Sequence, residues 1–151
     1  MCRDKEGTMP DMNGSFSGKP RVETTVSLTD IPGHQIQVAE IRGSQSSNDE
    51  NWNKAELTYW GVADIINGNG TQRGYFANER ADGDRDCGTF EGRITTAEGQ
   101  TTLEGTWQTT SGTGKFRGVK AGGTYSGRMT SPTDIEMTWE GHYELAAAKA
   151  A

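Results

Sequence analysis

The chain is poor in the things most folds are built from. Only 31% of its 151 residues are apolar, and Leu and Ala, which favour helices, are few. No apolar run approaches the roughly 18 residues of a membrane-spanning helix. The residues after Met1 are polar, so no secretory leader is read. That points to the cytoplasm if the chain is complete, and to a periplasmic or secreted protein if a leader was trimmed. There are two cysteines, Cys2 and Cys87, and no C-x-x-C, which argues against a structural zinc site. A Cys2–Cys87 disulfide and two separate thiols are both compatible with the sequence. The 15 basic residues are scattered singly in a chain of net charge −6. Nucleic-acid binding, which needs clustered Lys and Arg, is therefore not expected. The acidic balance serves solubility.

Glycine is abundant, with 21 residues, and so is Thr. That combination favours short strands and tight turns. At 151 residues the chain is one domain, long enough to fold without a staple. Residues 1–20 hold Pro10 and Pro20 and read as a loose leader with room for one added strand. Residues 21–145 read as the domain, and 146–151 as a frayed tail or cloning remnant. Within the domain the pattern predicts strands at 22–28, 35–43, 55–66, 73–80, 88–96, 101–110, 122–130 and 133–145. Asn67-Gly68-Asn69-Gly70 and Ala81-Asp82-Gly83-Asp84 mark two of the turns. In the first strand Val22, Thr24, Val26 and Leu28 share a face. The polar loop 44–54 carries one aromatic, Trp52, expected to be exposed. Eight hairpin-connected strands predict an all-β, closed, antiparallel up-and-down barrel, which would leave no exposed edge.

An internal repeat supports this. Gly88-Thr89-Phe90-Glu91-Gly92-Arg93-Ile94-Thr95 matches Gly123-Thr124-Tyr125-Ser126-Gly127-Arg128-Met129-Thr130. Each copy is followed by a Glu-Gly strand with a later aromatic, Glu104-Gly105-Thr106-Trp107 and Glu140-Gly141-His142-Tyr143. These are two copies of one hairpin. Period-two parity turns Phe90, Ile94, Leu103, Trp107, Tyr125, Met129, Met137, Trp139 and Tyr143 inward, interleaved with Gly. Arg93 and Arg128 should take equivalent outward positions, Gly92 and Gly127 equivalent inward ones.

The loop after the sixth strand, Ser111-Gly112-Thr113-Gly114-Lys115-Phe116-Arg117-Gly118, lacks the Gly-Lys-Ser/Thr ending of a phosphate loop and sits between strands. It reads as a compact turn with Phe116 plugging a barrel end. With the following Gly122-Gly123-Thr124-Tyr125 it resembles the late loop of the allene oxide cyclase barrel superfamily, which includes dirigent-like proteins and small bacterial barrels. The resemblance spans residues 88–145. It implies a barrel that holds apolar ligands in its lumen. Some such barrels cyclise or isomerise their ligand, and plant members form trimers. No catalytic residue of the plant enzymes aligns with this chain, and none is carried over.

The remaining motifs are weaker. Asp82, Asp84 and Asp86 resemble the start of a calcium loop, but the sixth and twelfth positions are Cys87 and Arg93, where Gly and Glu are needed. A solvated hairpin is the better reading, and no metal or cofactor is expected. His34 and His142 read as surface or rim residues. For acid–base work a carboxylate must face the lumen. Glu40 is the candidate if Ile36 and Val38 point inward; with the opposite parity Ala39 and Ile41 do. Tyr59, Phe90, Trp107, Tyr125, Met137, Trp139 and Tyr143 are the candidate ligand-binding set. Three functions follow: a barrel binding a compact apolar or aromatic molecule, a cyclase or isomerase of the allene oxide cyclase type, or an oligomer-forming module with a filled lumen. A lumen-facing carboxylate would favour the enzyme, an apolar lumen the carrier.

Overall fold

The computed structural model describes residues 11–146. Eight strands follow in chain order: β1 Asp11–Ser27, β2 His34–Ser47, β3 Glu56–Ile66, β4 Asn69–Glu79, β5 Arg85–Ala97, β6 Gln100–Gly112, β7 Lys120–Ser131 and β8 Asp134–Glu144. Each pairs antiparallel with its neighbours, and β1 pairs with β8 to close the barrel. Among the described residues there is no α-helix, only one turn of 3-10 helix at Gly114–Phe116. No helix among them is long and apolar enough to cross a membrane.

The two hairpin copies superpose in role. Arg93 pairs across the sheet with Glu104, and Arg128 with Glu136, all on the outer face. Gly92 and Gly127 lie on the inner one, where an added Cβ would overlap the Tyr125 hydroxyl and the Met137 side chain respectively. The turn at Asn67 and Gly68 has both residues at positive φ, 52° and 81°, the backbone state that these two types tolerate.

The core has two parts. Phe16, Ile41, Tyr59, Ala63, Phe76, Ile94, Leu103, Tyr125 and Ile135 form the buried body of the barrel. Met12, Trp52, Phe116 and Val119 form a second cluster at the end where β2 meets β3 and β6 meets β7. Phe116 is 1% exposed and plugs that end as its loop predicts. Trp52 stands beside it, the rings in edge-to-face contact at 5.6 Å. Contrary to its polar surroundings in sequence, Trp52 is only 3% exposed.

One expectation for the N-terminal region changes. Residues 11–20 belong to β1, and their Met12 and Phe16 are core residues. The other ten residues assigned to the leader, 1–10, and the tail 147–151 lie outside the described residues, as does Cys2 and hence the question of its pairing. Val22, Thr24 and Val26 share a face, and it is the outer one, with Val22 58% and Val26 53% exposed. The register with β2 shifts between Pro20 and Val22. A one-residue shift reverses every later side chain, so the face that would have continued Met12, Phe16 and Gly18 inward turns out to solvent.

Candidate functional site

Parity and glycine together leave space inside this barrel. Gly92 and Gly105 face each other across β5 and β6, and an added Cβ on either would overlap the Tyr125 hydroxyl. Gly61 similarly abuts the Phe90 ring. The aromatic rings stack edge to face in a chain: Phe90 lies 5.4 Å from Tyr59 and 6.1 Å from Tyr125, and Trp107 lies 5.9 Å from Trp139. Such contacts fix ring orientation beyond what burial alone supplies.

Between these rings is a cavity of about 90 Å³. Six of the seven residues read from the sequence as a binding set line it: Tyr59, Phe90, Trp107, Tyr125, Met137 and Trp139. The seventh, Tyr143, stands at the plugged end, packed on Trp52 at 4.7 Å and donating its hydroxyl to Asp49 Oδ2 at 2.7 Å. The structure adds Phe16, Leu57, Phe76, Gln45, Gln72, Asn78 and Trp52 to the wall. The alternation Met12-x-Gly14-x-Phe16-x-Gly18 carries the same Gly and apolar signature as the repeat, and Gly74-x-Phe76 a shorter form of it. Gln45 and Asn78 follow the inward parity of Gly43 and Phe76. Only the prolines flanking 11–20 obscured the first of these signals.

Glu40 is not in the lumen. It lies on the outer face and accepts a hydrogen bond from Trp60 Nε1 at 2.7 Å, while Ala39 and Ile41 point inward. The alternative parity is the one adopted. The only ionisable side chains among the lining residues are the phenols of Tyr59 and Tyr125, each pushed up by burial; a hydrogen bond donated by Gln72 at 2.8 Å opposes the rise at Tyr125.

The polar part of the wall leads to a buried carboxylate. Gln45 Nε2 donates to Asn78 Oδ1 at 2.5 Å, and Asn78 Nδ2 donates to Asp86 Oδ2 at 3.1 Å. Asp86 also accepts from Arg80 Nη1. Arg80 in turn donates from Nε to the Asn51 carbonyl at 2.8 Å and lies over the Phe116 ring at 3.9 Å and the Trp52 ring at 5.2 Å. Asp86 is 0% exposed, so it is not part of a solvated hairpin, although Asp82 and Asp84 are in the turn. Burial pushes its carboxyl up, and Arg80 and Asn78 oppose that shift. Asp86 thus ties the cavity's amides to the plug above them.

Three buried side-chain polar atoms lack a hydrogen-bond partner among the described residues: Trp139 Nε1, Thr109 Oγ1 in β6, and Arg80 Nη2 in the plug. Trp139 itself forms part of the cavity wall. The histidines lie elsewhere. His142 is exposed near Asp11, and His34 bridges Asp30 and Asp64 at the opposite end of the barrel. Among the described residues no group of three or more His, Cys, Asp or Glu is placed to hold a metal ion.

No family model matches the chain, and no curated protein matches it. Among solved structures it is similar to a pterocarpan synthase dirigent protein, 12% identical, with a TM-score of 0.50 over 90% of each chain. That likeness is one of fold alone, a closed eight-stranded antiparallel barrel. It does not extend to allene oxide cyclase in particular.

Proposed function

We propose that the lumen binds a compact molecule, about one ring with a small substituent, apolar over most of its surface and carrying one hydrogen-bond acceptor. The observation that carries this reading is the Trp139 indole N–H, buried without a partner in the wall of an otherwise largely aromatic cavity. A buried donor left unpaired is costly, and a ligand oxygen would satisfy it. At about 90 Å³ the cavity is smaller than the roughly 150 Å³ that takes up benzene, so even a single ring enters only as the surrounding side chains give way; drug-sized ligands occupy about 300 Å³ or more. Burying about 200 Å² of ligand surface supplies roughly 5 kcal/mol before association costs, so the expected affinity is modest.

A binding role is better supported than acid–base catalysis, because the lining offers no carboxylate or imidazole. A cyclase that works by shaping its substrate needs neither, and that reading rests on cavity shape alone. Acetophenone and ethylbenzene, alike in shape but differing in the acceptor, test the proposal. Acetophenone should quench the indole fluorescence and raise the melting temperature, binding about three- to tenfold more tightly than ethylbenzene, the worth of one net hydrogen bond. Trp139→Phe should remove that preference. If neither compound changes fluorescence or melting, the binding reading fails.

A further inference from the structure

The barrel is closed, yet one of its strands runs past its partner. β1 pairs with β8 only over Asp11–Gly18, against Ile135–His142. It continues for nine more residues, Lys19–Ser27, paired with β2 alone. Residues 21–27 are exposed on both faces. Among the described residues nothing pairs with the other edge of this stretch.

The phase of that edge follows from one hydrogen bond. Leu28 N donates to His34 O at 2.9 Å, which makes Leu28 and His34 a hydrogen-bonded pair of the β1–β2 ladder. In an antiparallel ladder such pairs alternate with non-bonded ones. Val22, Thr24 and Val26 therefore spend their backbone groups on β2, and Glu23, Thr25 and Ser27 turn theirs to the open edge. An edge of β-branched residues with free amides and carbonyls is a template for another strand. The strand that fits it is the same strand. About a two-fold axis at Thr24, Val22 of one copy falls opposite Val26 of the other, Glu23 opposite Thr25, and Arg21 opposite Ser27. No like charges oppose, and every residue that faces the open edge meets one that does the same. Self-complementarity about an axis is what a symmetric two-fold contact requires. The outward turn of Val22 and Val26 places both on the face where they meet.

We propose that two copies of this chain pair antiparallel through Arg21–Ser27, joining their barrels into one continuous sheet by strand addition. This inference is independent of what the lumen binds. Sedimentation equilibrium of the full chain should give twice the chain mass. The double variant Val22→Lys/Val26→Lys sets lysines opposite one another across the axis, on side chains that are exposed in the single barrel, and should raise the dissociation constant at least tenfold. The non-bonded Thr24 pair would hold its Cα atoms about 4.5 Å apart, within disulfide reach. In a Cys2→Ser/Cys87→Ser background, Thr24→Cys should therefore oxidise to a covalent dimer faster than Thr106→Cys on the outer face of β6. A monomeric mass for the unaltered chain at all concentrations overturns the proposal. So does a dimer that the lysines leave intact, a trimer, or cross-linking at Thr24→Cys no faster than at Thr106→Cys.

Discussion

Gly92 shows how single residues open the lumen. It sits opposite Gly105 in the β5–β6 ladder, and the Tyr125 hydroxyl occupies the space that two side chains would otherwise take. The same hydroxyl accepts from Gln72 across the lumen. Glycine here serves close approach rather than an unusual backbone angle, since neither Gly92 nor Gly105 has positive φ. A methyl group at 92 would overlap both the Glu104 carbonyl of the neighbouring strand and the Tyr125 hydroxyl, and the carbonyl is held in the ladder. Gly92→Ala should therefore destabilise by about 1–3 kcal/mol, the usual cost of overpacking a filled interior. Urea titration would measure it. Near-ultraviolet circular dichroism should change as well, because Tyr125 and its neighbour Phe90 lose their fixed contact.

Between elements, the contacts that matter are those that bridge loops and strands distant in sequence. Seven of the eight strands, β2 to β8, were legible from alternation and turn chemistry, with inward apolar residues and outward charged ones repeating with period two from β3 to β8. β1 was half legible. Pro10 and Pro20 suggested a loose leader, and the register shift near Arg21 cannot be seen without β2 beside it. The plug was legible in Phe116, whose Gly-rich loop marks a compact turn, but not in Trp52, which lies among polar residues and is buried by a loop far away in the chain. Asp86 was hidden for a related reason: the plug residues Trp52 and Phe116 that cover its partner Arg80 come from distant loops, and three spaced aspartates read as a solvated turn. His34 belongs to this scale too. Its Nε2 meets Asp64 Oδ1 of β3 at 2.6 Å and its Nδ1 meets Asp30 of the β1–β2 turn at 2.9 Å. Hydrogen bonds to Asp64 first and Asp30 second hold its pKa above the ordinary value of 6.5. A group whose pKa is raised on folding contributes stability that is complete below its unfolded pKa and lost as pH climbs through the folded one. His34→Gln should thus lower the melting temperature most at pH values below about 6.5, with the gap to the unaltered protein closing as the pH rises further. A gap that grows with pH would contradict the bridge.

At the scale of the whole molecule the barrel holds two kinds of interior, an apolar body and one buried ion pair, and the pair governs more of the stability than its size suggests. Arg80 is largely buried, with 12% of its side chain exposed, and Asp86 entirely so. Breaking such a pair from one side leaves an uncompensated charge in a low dielectric, at a cost of about 3–5 kcal/mol, whereas replacing both partners with apolar groups is often neutral. Total stability for a domain of this kind is about 5–15 kcal/mol, so the single loss is a large fraction of it. Asp86→Ala should strand the Arg80 guanidinium against Phe116 and Trp52, free the Asn78 amide and loosen the wall at Gln45. Its chemical-denaturation midpoint should fall accordingly. The double variant Arg80→Met/Asp86→Ala removes the stranded charge and should be more stable than Asp86→Ala alone, though Met also gives up the hydrogen bond to the Asn51 carbonyl. The two residues touch, so their effects should be strongly non-additive. Additive losses in this double-mutant cycle would mean that the pair is solvated in the folded protein, and that the plug is held by Trp52, Phe116 and Met12 packing without it.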